Sequence, residues 1–303
     1  MTLSVLDFGV RRIFRGRRLL CIALVVAPLL ATTAAHGQGC WPPSCGAHQS
    51  PIDIVDSQAV FDAGAPRFDN ISDLETPLPF VVKNTLGSKW CSNGSCAGVV
   101  DQPWGTLKAY PNMPPPAVGP HIVFGGVRYN LVEFHFHAPA EHRIDEAKPA
   151  AMEVHFVFRR AAGEDCNTTA FLVIGQRITT GARNEMLDKI FGEGINLPKD
   201  YHGEPVKVEG LVISQVLKGL KDSYRYNGSL TAPANLGCAN PPGNPVDQLK
   251  SREFPEVVSW VLLKDTIEMS EAQIAKFKAL FPKGNARPPQ PLRQVVKKTF
   301  RGN

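Results

Sequence analysis

The sequence predicts a mostly-β single domain with a few peripheral helices. Short runs of apolar, β-branched and aromatic residues recur along the chain, separated by 26 prolines and 26 glycines. Only two stretches carry helical spacing. Beyond residue 38 no internal repeat or charge run interrupts the pattern, and 303 residues suffice to bury one full core.

In chain order the strand-like runs are 80–83, 121–124, 129–137, 152–158, 170–174 and 257–263. Residues 184–191 have helical spacing that places Leu187, Ile190 and Phe191 on one face. Ser270-Glu-Ala-Gln273 has the form of a capping box ahead of an apolar-periodic stretch, 274–280. Two segments, 91–120 with Pro114-Pro-Pro116 and 238–255, read as long loops of functional or mobile character.

The first 38 residues stand apart. Arg11, Arg12, Arg15, Arg17 and Arg18 precede an apolar run, 19–30, and then the small residues 31–35. That order describes a secretory signal peptide. The run is short for a bilayer span, so no stable membrane anchor is expected, a retained anchor being the competing reading. The expected organisation is therefore a signal over 1–38 and one domain over 39–303, exported to a periplasm or the extracellular space. Of 33 basic and 28 acidic residues, the leader holds five and one, so the remainder is close to neutral. No basic stripe is left to recognise nucleic acid, and a small neutral or weakly charged partner is expected. Oligomeric state is not legible.

Cysteine usage agrees with export. Cys21 lies in the leader, and Cys40, Cys45, Cys91, Cys96, Cys166 and Cys238 remain. An even number in an exported chain reads as disulfides. The repeated C-x4-C spacing of Cys40/Cys45 and Cys91/Cys96 admits a zinc knuckle instead, although no histidine pattern accompanies it.

Three histidines lie on two of the strand-like runs: His135 and His137 in Glu133-Phe-His-Phe-His137, and His155 in Glu153-Val-His-Phe-Val-Phe158. Residues two apart share a strand face, so His135 and His137 project together and a neighbouring strand can bring His155 opposite. Three neutral imidazoles hold Zn²⁺ with its fourth position open, the arrangement of a catalytic site. The competing reading is a chance histidine pair on an ordinary strand.

With these histidines occur Gln49-Ser-Pro-Ile-Asp53, Ala140-Glu-His142, Gly228-Ser-Leu-Thr-Ala-Pro233, Trp260-Val-Leu-Leu-Lys264 and Arg287-Pro-Pro-Gln-Pro-Leu292. In this order and spacing the chain, from about Cys45 to Phe300, resembles the α-class carbonic anhydrases. The resemblance implies a central twisted, mainly antiparallel sheet with a conical cavity reaching the metal. It implies Zn²⁺ on His135, His137 and His155, with Thr231 accepting a hydrogen bond from metal-bound hydroxide and Glu141 accepting the proton of Thr231. Glu153 matches the glutamate that orients one ligand histidine, and Asn285 matches, by position, a backbone carbonyl for His137. Glu133 stands where many relatives carry glutamine. It either adds negative charge near zinc or is tied to a basic neighbour as a neutral pair.

Val157, Val173, Leu230 and Trp260 match an apolar wall for carbon dioxide, and Ala232 replaces a polar residue common in relatives. Composition alone reads the first four as ordinary core. The implied activity is reversible hydration of carbon dioxide to bicarbonate and a proton, with water as co-substrate. The alternatives are a non-catalytic binding relative and a zinc esterase.

The chain departs from the family in two places. The stretch Lys83-Asn-Thr-Leu-Gly87 puts Leu86 where fast relatives carry a proton-moving histidine. The shuttle is thus unknown, with His121 the remaining candidate. The family's disulfide falls best on Cys45 and Cys238, with Cys91–Cys96 as a local bridge and Cys40 and Cys166 as a looser pair.

Overall fold

The structure is a computed structural model that describes residues 47–87, 105–113, 119–146, 148–161, 169–232, 254 and 256–301. The expected signal segment, all seven cysteines with their expected bridges, and nearly all of the segment 238–255 read as a loop lie outside the described residues. Among those described, no helix is long and apolar enough to cross a membrane.

Fifteen strands are present among the described residues. The first eight are β1 (Asp53–Ile54), β2 (Val60–Phe61), β3 (Phe68–Asn70), β4 (Leu78–Asn84), β5 (Leu107–Pro111), β6 (His121–Phe124), β7 (Val127–His137) and β8 (Arg143–Ile144). The rest are β9 (Met152–Arg160), β10 (Phe171–Thr180), β11 (Val206–Leu211), β12 (Ser223–Gly228), β13 (Val258–Leu263), β14 (Ile267–Met269) and β15 (Lys297–Lys298). Thirteen of them form one sheet whose main path runs β11-β4-β5-β7-β9-β10-β13-β12-β15-β2, while β1 and β8 make a separate parallel pair. Parallel pairing within the large sheet is confined to β10 with β13 and β14, and β15 with β2. The sheet is otherwise antiparallel, as the resemblance implies.

Pleating sorts the side chains into two layers. On β7 and β9, Phe134, Phe136, Phe156 and Phe158 enter one core with Phe80, Leu172, Ile174 and Phe277. Val157 enters the other, with Val173, Tyr224, Tyr226, Trp260, Ile52 and Ile54. Both faces of β9 are therefore covered, which explains why every position from Met152 to Phe158 is buried with no exposed alternation. Phe134 stacks on Phe156 at a centroid distance of 5.1 Å. Truncating such a ring costs about 3–5 kcal/mol.

The predicted strands all form, and β10 runs on to Thr180. Its continuation was hidden by polar residues: Gln176 is fully buried but donates to the carbonyls of Lys218 and Asp265 at 2.9 and 3.2 Å. The segment read as one loop over 91–120 contains β5, whose Leu107 and Ala109 alternate inward between charged and aromatic neighbours. Five residues were too few for that alternation to stand out.

Helix α1 (Asp188–Phe191) starts later than the spacing suggested, because Asn184 Oδ1 accepts from Leu187 N at 3.0 Å and holds the preceding residues as turns. Helix α2 (Ile213–Val216) was not anticipated. Helix α3 (Glu271–Leu280) opens with the expected capping box between Ser270 and Gln273. The Gln273 amide also reaches Asn184 O at 2.9 Å and Asp188 Oδ1 at 2.6 Å, pinning α3 to α1.

Candidate metal centre

Strands β7 and β9 place the three imidazoles. Glu133, His135 and His137 lie on the β7 face opposite Phe134 and Phe136, and the register sets His135 across from His155. The ring centroids stand 5.0 Å apart for His135–His137, 5.2 Å for His135–His155 and 4.7 Å for His137–His155. One ligand atom from each lies within 4.8 Å of the other two, and all three residues are buried.

Each ring has one nitrogen already engaged. His135 Nδ1 donates to both oxygens of Glu133 at 2.9 Å, His137 Nδ1 to the Asn285 carbonyl at 3.1 Å, and His155 Nε2 to Glu153 Oε1 at 2.8 Å. Those bonds leave His135 Nε2, His137 Nε2 and His155 Nδ1 for a common partner. His137 Nε2 is buried with no hydrogen-bond partner among the described residues, a position that costs free energy unless something binds the lone pair. Burial, only partly opposed by Glu133, holds His135 down at about 4, and burial with the neighbouring His155 and His135 holds His137 well below its ordinary value. Three imidazoles that turn their unengaged nitrogens toward one point are a donor set suited to zinc.

A second trio, His142, Glu153 and His155, also brings its ligand atoms within 4.8 Å. Here the groups are already satisfied. Glu153 Oε1 accepts from His142 Nδ1 and His155 Nε2, and Oε2 accepts from the backbone N–H of Glu141 and His142, all at 2.8 Å. Burial alone would raise Glu153, but the two imidazoles outweigh it and hold the carboxyl well below its ordinary value. This trio is a hydrogen-bonded carboxylate that orients His155. His142 Nε2 continues to Tyr226 Oη at 2.7 Å, and Tyr226 lies 3.0 Å from Ser50 Oγ.

Glu141 sits under the rings, with Oε1 3.3 Å from His137 Nδ1 and Oε2 3.9 Å from His155 Nδ1. Oε1 accepts from Arg287 N at 2.7 Å. Burial pushes the Glu141 pKa well above the ordinary range, opposed by that N–H and by a weaker interaction with the Thr231 hydroxyl. Among the described residues no full hydrogen bond reaches Oε2. The Arg287 guanidinium donates to Ser50 O at 2.6 Å and Gln49 Oε1 at 3.1 Å, so the motifs at residues 49–53 and 287–292 meet behind Glu141.

Val157, Val173 and Trp260 are cross-strand neighbours on β9, β10 and β13, with Leu230 packed against them. The Trp260 ring lies 4.9 Å from that of His155, which sets this wall directly beside the trio. Thr231 is buried and Ala232 half-buried.

Sequence reasoning missed two residues. Lys108 Nζ lies 3.2 Å from Glu133 Oε1, and strand pairing sets Lys108 across from His135. Gly175 faces His155 from β10, where an added Cβ would stand 2.6 Å from Leu262 Cδ2 and 2.9 Å from Glu153 Oε1. Lys108 carried only the weak alternation of β5, and Gly175 only its break in an apolar run.

His121 is placed elsewhere. It pairs with Asn130 on β7, five residues from His135, or about 17 Å along a strand. Its Nδ1 is held by Asp73 Oδ2 at 2.5 Å. Leu86 packs against the phenylalanine core.

Residues 36–239 match the family model described as eukaryotic-type carbonic anhydrase. The chain is 33% identical over 176 residues to a carbonic anhydrase of Nostoc sp. (strain PCC 7120 / SAG 25.82 / UTEX 2576), covering 57% of this chain and 55% of the relative. It is 30% identical over 171 residues to one of Klebsiella pneumoniae, covering 56% and 58%. The matched region thus spans little more than half the length of these relatives. Among solved structures, the α-carbonic anhydrase of Thermovibrio ammonificans in complex with the inhibitor sulfanilamide superposes with a TM-score of 0.58 at 26% identity, over 84% of this chain and 87% of that one.

Proposed function

The chain belongs to the eukaryotic-type carbonic anhydrase family, and on that premise we propose that it reversibly hydrates carbon dioxide to bicarbonate and a proton, with zinc held by His135, His137 and His155. The observation that carries this reading is the convergence of three buried imidazoles whose other nitrogens are all engaged.

Zinc bound there would acidify a water and so supply a nucleophile at neutral pH, the role it has in carbonic anhydrases generally. Glu133, Glu153 and the Asn285 carbonyl hold the three rings in one tautomer and orientation each. On this reading Thr231, which interacts weakly with Glu141, would direct its hydroxyl proton to that carboxylate and keep its oxygen as an acceptor that orients the attacking group. Val157, Val173, Leu230 and Trp260 offer uncharged carbon dioxide an apolar rest and disfavour the bicarbonate anion, which aids release. Ala232 adds no polar contact.

The same reading includes export. The basic, apolar and small-residue order of residues 1–38 supports their removal and a periplasmic or extracellular location.

Zinc analysis with stopped-flow hydration on the wild type and His137→Ala tests the proposal. About one zinc per chain and fast hydration, both lost in the variant, are expected. Stoichiometric zinc with no hydration would favour a binding relative, and ester hydrolysis outpacing hydration would favour an esterase.

A further inference from the structure

The metal layer occupies one face of β12, through Tyr224 and Tyr226. Arg225 alternates to the other face and lines a cavity of about 580 Å³, whose walls include Phe61, Phe68, Ile71 and Leu220. That volume lies within the range of small-molecule sites.

Arg225 is unusual for a cation. It is only 9% exposed, yet no carboxylate pairs with it among the described residues. Its Nε donates to Ser223 Oγ at 3.1 Å, Nη1 donates to the Pro66 carbonyl, and the guanidinium carbon lies 4.9 Å from the Phe124 ring centre. All three partners are neutral. Asp62 lines the same cavity, but its carboxylate is engaged by Lys297 at 2.9 Å. Burial, opposed only by the more distant Asp62, pulls Arg225 down to about 10. A nearly buried cation with no carboxylate in direct contact is costly to hold, and an anion entering the cavity would offset that cost. Exposed Arg67 and Lys221 add positive charge at the rim, against one further acid, Asp222.

We propose that this cavity binds an amphipathic carboxylate, with its head on Arg225 and its apolar tail against Phe61, Phe68, Ile71 and Leu220. Lysine in place of Arg225 keeps the charge but loses the planar fork that matches a carboxylate.

Octanoate is the probe, titrated calorimetrically into the full zinc-loaded chain, with octylammonium and inorganic phosphate as comparisons. One saturable site is expected for octanoate, with both comparisons at least tenfold weaker. Arg225→Met is expected to weaken octanoate at least tenfold, Arg225→Lys less, and His137→Ala not at all, because the metal is not the site. Near-ultraviolet circular dichroism checks the fold of each variant. If Arg225→Met does not fold, Ala63→Trp, which places bulk at the exposed cavity mouth, decides and is expected to block binding. The proposal is overturned if binding is not saturable, if either comparison binds equally well, if the deciding variant binds as wild type does, or if His137→Ala abolishes binding.

Discussion

Lys108 Nζ and His135 Nδ1 share one carboxylate: Glu133 accepts from the lysine at 3.2 Å and from the ring at 2.9 Å. Burial alone would raise Glu133, but the His135 and Lys108 contacts hold it at about 2. Burial likewise opposes charge on Lys108, yet Glu133 keeps its pKa raised. Of the two readings open for Glu133, the structure therefore shows the ion pair.

Lys108→Met removes the cation and leaves Glu133 free to draw on the His135 proton. His135 then becomes the stronger donor, so zinc affinity should rise by roughly tenfold, with an upward shift of the pH midpoint of hydration. Glu133→Gln strands Lys108 and should move both quantities the other way. Chelator competition measures the first and a pH–rate profile the second. Equal affinities in all three proteins would show that the pair does not act on His135.

Glu153 receives four hydrogen bonds, so Glu153→Gln sets an amide NH₂ against donors. A loss of about 3 kcal/mol in stability is expected, with zinc affinity down by roughly 10- to 100-fold. Gly175→Ala presses on the same carboxylate and on Leu262, and should cost about 1–3 kcal/mol by overpacking. Denaturant midpoints with and without zinc separate the two effects.

Proton transfer should limit turnover. Leu86 cannot titrate, and His121 is spent on Asp73 far from the rings. Hydration at saturating carbon dioxide is expected to rise with buffer concentration, and His121→Ala to leave that dependence unchanged. A rate indifferent to buffer would reveal an internal relay.

Asp56 ties the start of the domain to its end, accepting from Lys298 Nζ at 2.9 Å and Tyr224 Oη at 2.8 Å. Those bonds hold its pKa below the ordinary 3.8. A depressed folded-state pKa means the stabilisation is present above 3.8 and is lost as pH falls through the lower folded value. The melting-temperature gap between wild type and Asp56→Asn should thus be widest near neutrality and close in acid. The carboxylate is partly exposed, so the gap should be modest.

The motif histidines and the strands that bear them could be read directly, because strand periodicity is local: two residues apart means one face, whatever the rest of the chain does. Glu153, two residues before His155, and the capping box of α3 were legible for the same reason. What partners each group meets is not local. The identity of the cation facing Glu133, the glycine that makes room for Glu153, the distance of His121 from the rings and the lone guanidinium of Arg225 all depend on which strands pair and in what register. Register is decided by burying both layers of a thirteen-stranded sheet at once, and that requirement belongs to the folded chain as a whole.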